Sequence, residues 1–191
     1  MIPNTRRWVL GGGLASGKSA VRGLLGGRHG LLAIDADAVG HEMLEPDGHA
    51  YPDVAAAWPQ VVSEGRIQRA ALAAIVFAEE AELKRLESIT HPYIFGTISR
   101  RVEDFEGVVV VEVPVLNHRM DEGWGWIVVD AGDEVRLRRA MSRGMTRKEA
   151  ETRMRAQPNR SEWLAAADIV VPNHGSLDEL SATVDLLVPI L

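Results

Sequence analysis

Residues Gly12, Gly13, Leu14, Ala15, Ser16, Gly17, Lys18 and Ser19 satisfy the spacing G-x-x-x-x-G-K-[ST] in full. Each residue type has work to do on a phosphate chain. Glycines let successive backbone N–H groups turn inward around an anion. Lysine sets a positive charge beside the β- and γ-phosphates, and the serine hydroxyl is a hard ligand for magnesium. A helix beginning at about Lys18 would aim its N-terminal dipole at the same anion. The dinucleotide pattern G-x-G-x-x-G is not met, because Ser16 occupies the third glycine position counted from Gly11. The chemistry indicated is therefore ATP binding with magnesium, not hydride transfer.

A second group of interest is Asp35-Ala36-Asp37, directly after Ala33-Ile34. Ligands of open α/β sheets bind beyond the carboxyl ends of the strands, so these carboxylates belong at the edge that also holds the phosphate loop. Alternation along an extended chain would turn Asp35 and Asp37 to the same side. One could orient or deprotonate an attacking hydroxyl, and the other could enter the magnesium shell through water. A solvated turn, or Asp37 as a helix cap, is the plainer alternative.

A third is cationic. Nine arginines and lysines fall between Arg136 and Arg160 in a chain of net charge −6. Most suit a solvated helical face balanced by Glu134, Glu149 and Glu151. Arg139 and Arg143, four apart, would share a helix face, and guanidinium forks suit a transferring phosphoryl group. Gly144 could then be the hinge of a lid that excludes water.

Short β-branched runs alternating with helical patterns must position these groups, the pattern of a parallel α/β sheet. Strands are expected at 7–10, 31–34, the valine-rich 108–113, 127–129 and 169–171. The long insert before the third strand is mostly helical, with Leu72, Ile75, Val76, Leu83 and Leu86 at helical spacing. His91-Pro92 should break that helix, and residues 46–59 read as a loop-rich junction. Thr146 with Glu149, and Ser176 with Glu179, have capping-box spacing and mark two helix starts.

At 191 residues and 46% hydrophobic content the chain suits one globular unit with a real core and has room for a small inserted subdomain. Its acidity argues against general nucleic-acid binding, which needs a broad basic field. The absence of cysteine excludes disulfides, thiolate metal sites and a cysteine nucleophile. Arg6-Arg7 before Trp8-Val9-Leu10 resembles an export signal only superficially, since Lys18 and Arg22 interrupt the apolar stretch. No run approaches membrane-spanning length. These features give the expectation of a soluble cytoplasmic protein acting on small molecules, without nucleic-acid or membrane partners.

The phosphate loop, Ile34-Asp35-Ala36-Asp37, Glu45-Pro46, Arg69-Ala70-Ala71-Leu72 with Val76-Phe77, and Ile89-Thr90-His91-Pro92 together resemble the dephospho-coenzyme A kinase family. Val113-Pro114, Arg139 with Arg143, Arg153 with Gln157, and Ala167-Asp168 with Asn173 and Gly175 follow in the family's order. The resemblance implies a P-loop kinase fold: a three-layer α/β arrangement with a parallel five-stranded sheet, a helical acceptor-binding subdomain and a lid. Its core would be about 1–38, 107–140 and 165–191, its insert about 39–106 and its lid about 141–164. The activity implied is ATP-dependent phosphorylation of the ribose 3′-hydroxyl of dephospho-CoA. By position, Asp37 looks like the catalytic base, Lys18 the phosphate clamp and Arg143 the lid arginine. Ser19 and Asp35 look like the metal-side residues, while Arg139, Asn173 and Gly175 join residues 13–20, through Ala20, on the ATP side. Arg69, Phe77, His91 and Pro92 fall on the acceptor side with Asp37.

The chain also departs from the family's usual residues. Gly11 and Ala20 stand where the family usually has threonine, and Ala15 where it has glycine, which would strain the loop if φ there is positive. Val115-Leu116-Asn117-His118 replaces a Leu-Leu-Phe-Glu pattern. Gly144 stands in place of an aspartate, and a Phe-Gly near Trp58-Pro59 is missing. A related kinase for another small hydroxyl acceptor, such as a nucleoside or nucleotide, is the main alternative. A weakly catalytic nucleotide-binding paralogue is a further one, opposed by the retention of Lys18, Ser19, Asp37 and Arg143.

Overall fold

The computed structural model describes residues 6–114 and 123–191, which divide into two compact units. Residues up to Asp35 and from Phe105 onward form the first, and Ala36–Asp104 the second. The first is built on five parallel strands: β1 (Arg7–Gly11), β2 (Leu32–Asp35), β5 (Val109–Glu112), β6 (Gly125–Asp130) and β7 (Ile169–Pro172). Their order is β2-β5-β1-β6-β7, so the chain leaves β1 toward one edge and later returns to its other side. That reversal makes the carboxyl end of β1 a natural ligand crevice.

The strands are continuous apolar runs because helices cover the sheet. Trp8, Leu10, Val110 and Ile127 are buried with Val21 and Leu25 of α1 (Lys18–His29) and Leu180 and Val184 of α9 (Leu177–Leu187). Each such side chain contributes about 1.5–3 kcal/mol. Trp8–Leu10 thus belongs to the central strand. All five expected strands are present, with ends displaced by no more than two residues.

Among the described residues this unit also holds α6 (Asp133–Ser142), α7 (Arg147–Arg155) and α8 (Arg160–Ala166). Gly144, at φ +94, ends α6. Its N–H donates to the Met141 carbonyl, and the Met145 N–H reaches back to Ala140. The capping boxes at Thr146–Glu149 and Ser176–Glu179 both form, and the sequence reading missed a third, Asn159–Glu162, which starts α8.

The second unit contains α2 (Ala36–Met43), α3 (Tyr51–Ala57), a hairpin of β3 (Val62–Ser63) and β4 (Arg66–Ile67), α4 (Arg69–Val76) and α5 (Glu80–Glu103). Its core gathers Met43, Val54, Trp58, Val61, Leu72 and Val76. Two expectations fail here. Residues 46–59 are not all loop, because α3 forms there and buries Val54. His91-Pro92 does not break the helix, since α5 runs through Pro92 for 24 residues. Proline deletes one hydrogen bond, but Ile89, Tyr93 and Ile94 on the same stretch pack on the core and hold the helical course. The hairpin was also missed. Its turn residues Glu64 and Gly65 both have positive φ, as a tight two-residue turn requires.

Candidate active site

Between β1 and α1 the phosphate loop folds as its spacing demands. The Ser16 N–H donates to the Gly13 carbonyl at 3.1 Å, and the helix begins at Lys18. Gly17 sits at φ +107, and a side chain there would collide with the Asn173 amide. Ala15 adopts φ +57, so the strain expected of alanine at this position is present. The Lys18 ammonium turns back over the loop, donating to the Gly12 carbonyl at 2.7 Å.

Several residues distant in sequence converge on this loop. Asn173, just past β7, donates from Nδ2 to the Ser16 carbonyl at 2.7 Å. Arg139 of α6 donates to the Asn173 carbonyl at 3.0 Å, to Asn173 Oδ1 at 3.2 Å and to the Gly175 carbonyl at 3.2 Å. Arg139, Asn173 and Gly175 are therefore assembled around Ser16. Arg143 is not among them. It caps the C-terminus of α6, one residue beyond the last helical residue, and is exposed.

On the other side of β1 lie the carboxylates. Asp35 and Glu112 are register partners at the ends of β2 and β5. The Ser19 hydroxyl donates to Glu112 Oε1 at 3.0 Å, and Arg22 bridges Glu112 at 2.6 Å and Asp35 at 3.0 Å. Ser19, Asp35 and Glu112 offer the hard oxygen donors that magnesium takes alongside phosphate. Among the described residues no group of three or more His, Cys, Asp or Glu forms a metal cage. Glu112 escaped the sequence reading, although a lone carboxylate inside a valine run was a signal.

Asp130, at the end of β6, was also missed. Arg160 grips it with Nε and Nη2, both at 2.7 Å, and His174 lies 3.5 Å away. The hydrogen bond from Arg160 holds the Asp130 carboxyl below its ordinary pKa, against the opposing effect of burial, and raises the pKa of Arg160 in turn.

Most of the remaining candidates belong to the second unit. Asp37 lies in the first turn of α2 and is exposed. Because β2 ends at Asp35 and the helix starts at Ala36, strand alternation does not relate the two aspartates. Arg69 opens α4, and Phe77 caps its C-terminus, 77% exposed. His91 and Pro92 lie within α5, the His91 ring edge-on to Phe95 at 5.5 Å. Ala20 lies in the first turn of α1. The stretch Val115–His118 lies outside the described residues.

A parallel sheet carrying a strand–phosphate loop–helix at its switch point defines a P-loop kinase fold. Comparison with known proteins agrees and narrows the class. Residues 8–179 match the family model for dephospho-CoA kinase. A dephospho-CoA kinase of Frankia casuarinae is 41% identical over 185 residues, covering 92% of this chain and 79% of the relative. A crystal structure from Thermus thermophilus superposes with TM-score 0.82 at 32% identity, covering 98% of this chain and 99% of the other. The dephospho-CoA kinase of Campylobacter jejuni, 22% identical, shares the fold with TM-score 0.71 over 96% of both chains. The chain belongs to the dephospho-CoA kinase family, and is a nucleotide-using phosphotransferase acting on small molecules. Among the described residues no helix is long and apolar enough to cross a membrane.

Proposed function

We propose that this protein transfers the γ-phosphoryl group of ATP to the ribose 3′-hydroxyl of dephospho-CoA, giving CoA and ADP in the cytoplasm. The observation that carries the reading is the assembled phosphate loop, with Arg139, Asn173 and Gly175 gathered on Ser16 in a member of this family.

In the proposed reaction the 3′-oxygen forms a bond to the γ-phosphorus, and the bond from phosphorus to the β,γ-bridging oxygen breaks. Asp37 accepts the hydroxyl proton, and ADP carries away the electron pair. Phosphoryl transfer leaves the protein mainly positioning and charge stabilisation. The backbone N–H groups and Lys18 hold the phosphates, while Arg139, Asn173 and Gly175 line the adenine side. Arg143, exposed at the end of α6, serves the closed state of a lid formed by about 141–164. Ser19, with Asp35 and Glu112, would hold magnesium, whose charge offsets that of the β- and γ-oxygens. Arg69, Phe77, His91 and Pro92 serve the acceptor.

The test is coupled ADP release with dephospho-CoA beside a panel of nucleosides and nucleotides, the product being identified by mass. Turnover with dephospho-CoA giving 3′-phosphorylated product is expected. Turnover with another acceptor alone points to a related kinase, and acceptor-independent binding without turnover to a nucleotide-binding paralogue.

A further inference from the structure

Both polar backbone groups of Leu14, midway along the phosphate loop, are held by side chains from elsewhere in the chain. Its N–H donates to Gln157 Oε1 at 2.6 Å, and its carbonyl accepts from Arg136 Nε at 2.9 Å. The Leu14 and Ala15 side chains pack on the apolar cluster of Leu137, Ala140 and Ala150, together with Met154. Three attachments therefore meet immediately before Ala15, the loop residue at φ +57.

That conformation costs alanine about 1–2 kcal/mol and persists only where the surroundings enforce it. Arg136 is only 4% exposed, and its Nη1 pairs with Asp133 at 3.0 Å. A Cβ on Gly13 would collide with its guanidinium, so the loop is closely backed. The backbone around Gln157 is anchored on both sides. Its own N–H donates to the Met154 carbonyl at the end of α7, and the Asn159 capping box sets the chain direction two residues later.

We propose that Gln157, together with Arg136, is a positioning residue that holds the phosphate loop in the strained shape ready for phosphate. The inference rests on this loop being the ATP site. Gln157 touches no reacting atom in this role. Its effect is on the fraction of molecules whose loop is preformed, and apparent affinity falls in proportion to that fraction. At saturating ATP the loop is re-formed by its ligand. The loss therefore falls on KM for ATP rather than on kcat.

The experiment is calorimetric titration of the full chain with Mg-ATP, alongside steady-state kinetics. Gln157→Ala should raise Kd and KM for ATP by roughly tenfold, with kcat within about twofold. Gln157→Met, which keeps the length and loses the acceptor oxygen, should behave alike. Gln157→Glu retains an acceptor and should stay within about threefold of wild type. Ala15→Gly supplies the decisive background, because glycine takes positive φ without penalty. There the loss from Gln157→Ala should shrink to about threefold or less. Unchanged Kd in both Gln157→Ala and Gln157→Met, or an identical loss in both Ala15 backgrounds, overturns the inference while leaving the ATP site intact. A folded wild-type chain that takes up no ATP overturns the site assignment and the inference with it.

Discussion

At the scale of single residues, the phosphate loop was legible because its chemistry is local: eight consecutive positions encode N–H groups, a cation and a hydroxyl. Lys18→Ala should cut turnover by roughly two to three powers of ten with little change in folding, as its proposed role at the phosphates requires. Kinetics and thermal melting of the same preparation check both halves. The carboxylates were only half legible. Asp35 and Asp37 stand in a short motif, whereas Glu112 is identified by the register that sets it beside Asp35 and by its bond from Ser19, neither of which is visible in one dimension. Their roles separate experimentally. Asp37→Asn keeps size but removes the proposed proton acceptor, so ATP affinity should hold within a few-fold while transfer falls by roughly two to four powers of ten. Asp35→Asn and Glu112→Gln should instead shift the magnesium dependence. Single-turnover transfer across a magnesium titration distinguishes them. Normal transfer by Asp37→Asn would remove the base assignment.

At the scale of elements, strands and caps were read where one local signal dominated, and misread where tertiary packing outweighed it. The valine run gave β5, and Thr146 and Ser176 gave the starts of α7 and α9. Pro92 gave a false helix end because apolar neighbours on α5 hold the helix through a missing hydrogen bond. The start of α8 went unread although Asn159 and Glu162 have the same spacing as the other boxes. That cap matters beyond its helix, since the residue after it is Arg160, the partner of Asp130. Replacing Asn159 by alanine leaves the Glu162 N–H without its partner and should cost about 1 kcal/mol. For a chain of this size that is a fall in melting temperature of about 2–4 °C. Ser161→Ala should cost less, because the Ser161 hydroxyl only donates to the Asn159 side chain. Equal melting of Asn159→Ala and wild type would show that packing, not the cap, fixes the start of α8.

At the scale of the whole molecule, the basic segment resolves into parts that composition alone merges. Arg136, Arg139 and Arg160 are tied to the phosphate loop or to Asp130, whereas Arg143, Arg147 and Arg155 are exposed. The chain's net charge says nothing of this division, but the dependence of stability on pH should register it. Asp130 has its pKa lowered chiefly by the Arg160 hydrogen bond, and Glu149 chiefly by the Thr146 side chain. Between each lowered value and the ordinary carboxylate value the unfolded chain binds more protons than the native one, so stability rises with pH there. The contribution is fully present above the ordinary value and is lost as pH falls through the lowered one. Tyr93 works in the opposite direction, its pKa raised chiefly by its hydrogen bond to Asp53. Its contribution is fully present below the ordinary tyrosine value and is lost as pH rises through the raised one. Asp130→Asn keeps the side chain's shape but not its charge. In urea unfolding, wild type should exceed this variant most at neutral pH, and the gap should narrow on acidification through the carboxylate range. The acid limb of Tyr93→Phe should follow wild type. A gap between wild type and Asp130→Asn that stays constant with pH would mean that the stabilisation lost does not depend on ionisation of the carboxyl, and that the Arg160 pair contributes nothing through charge.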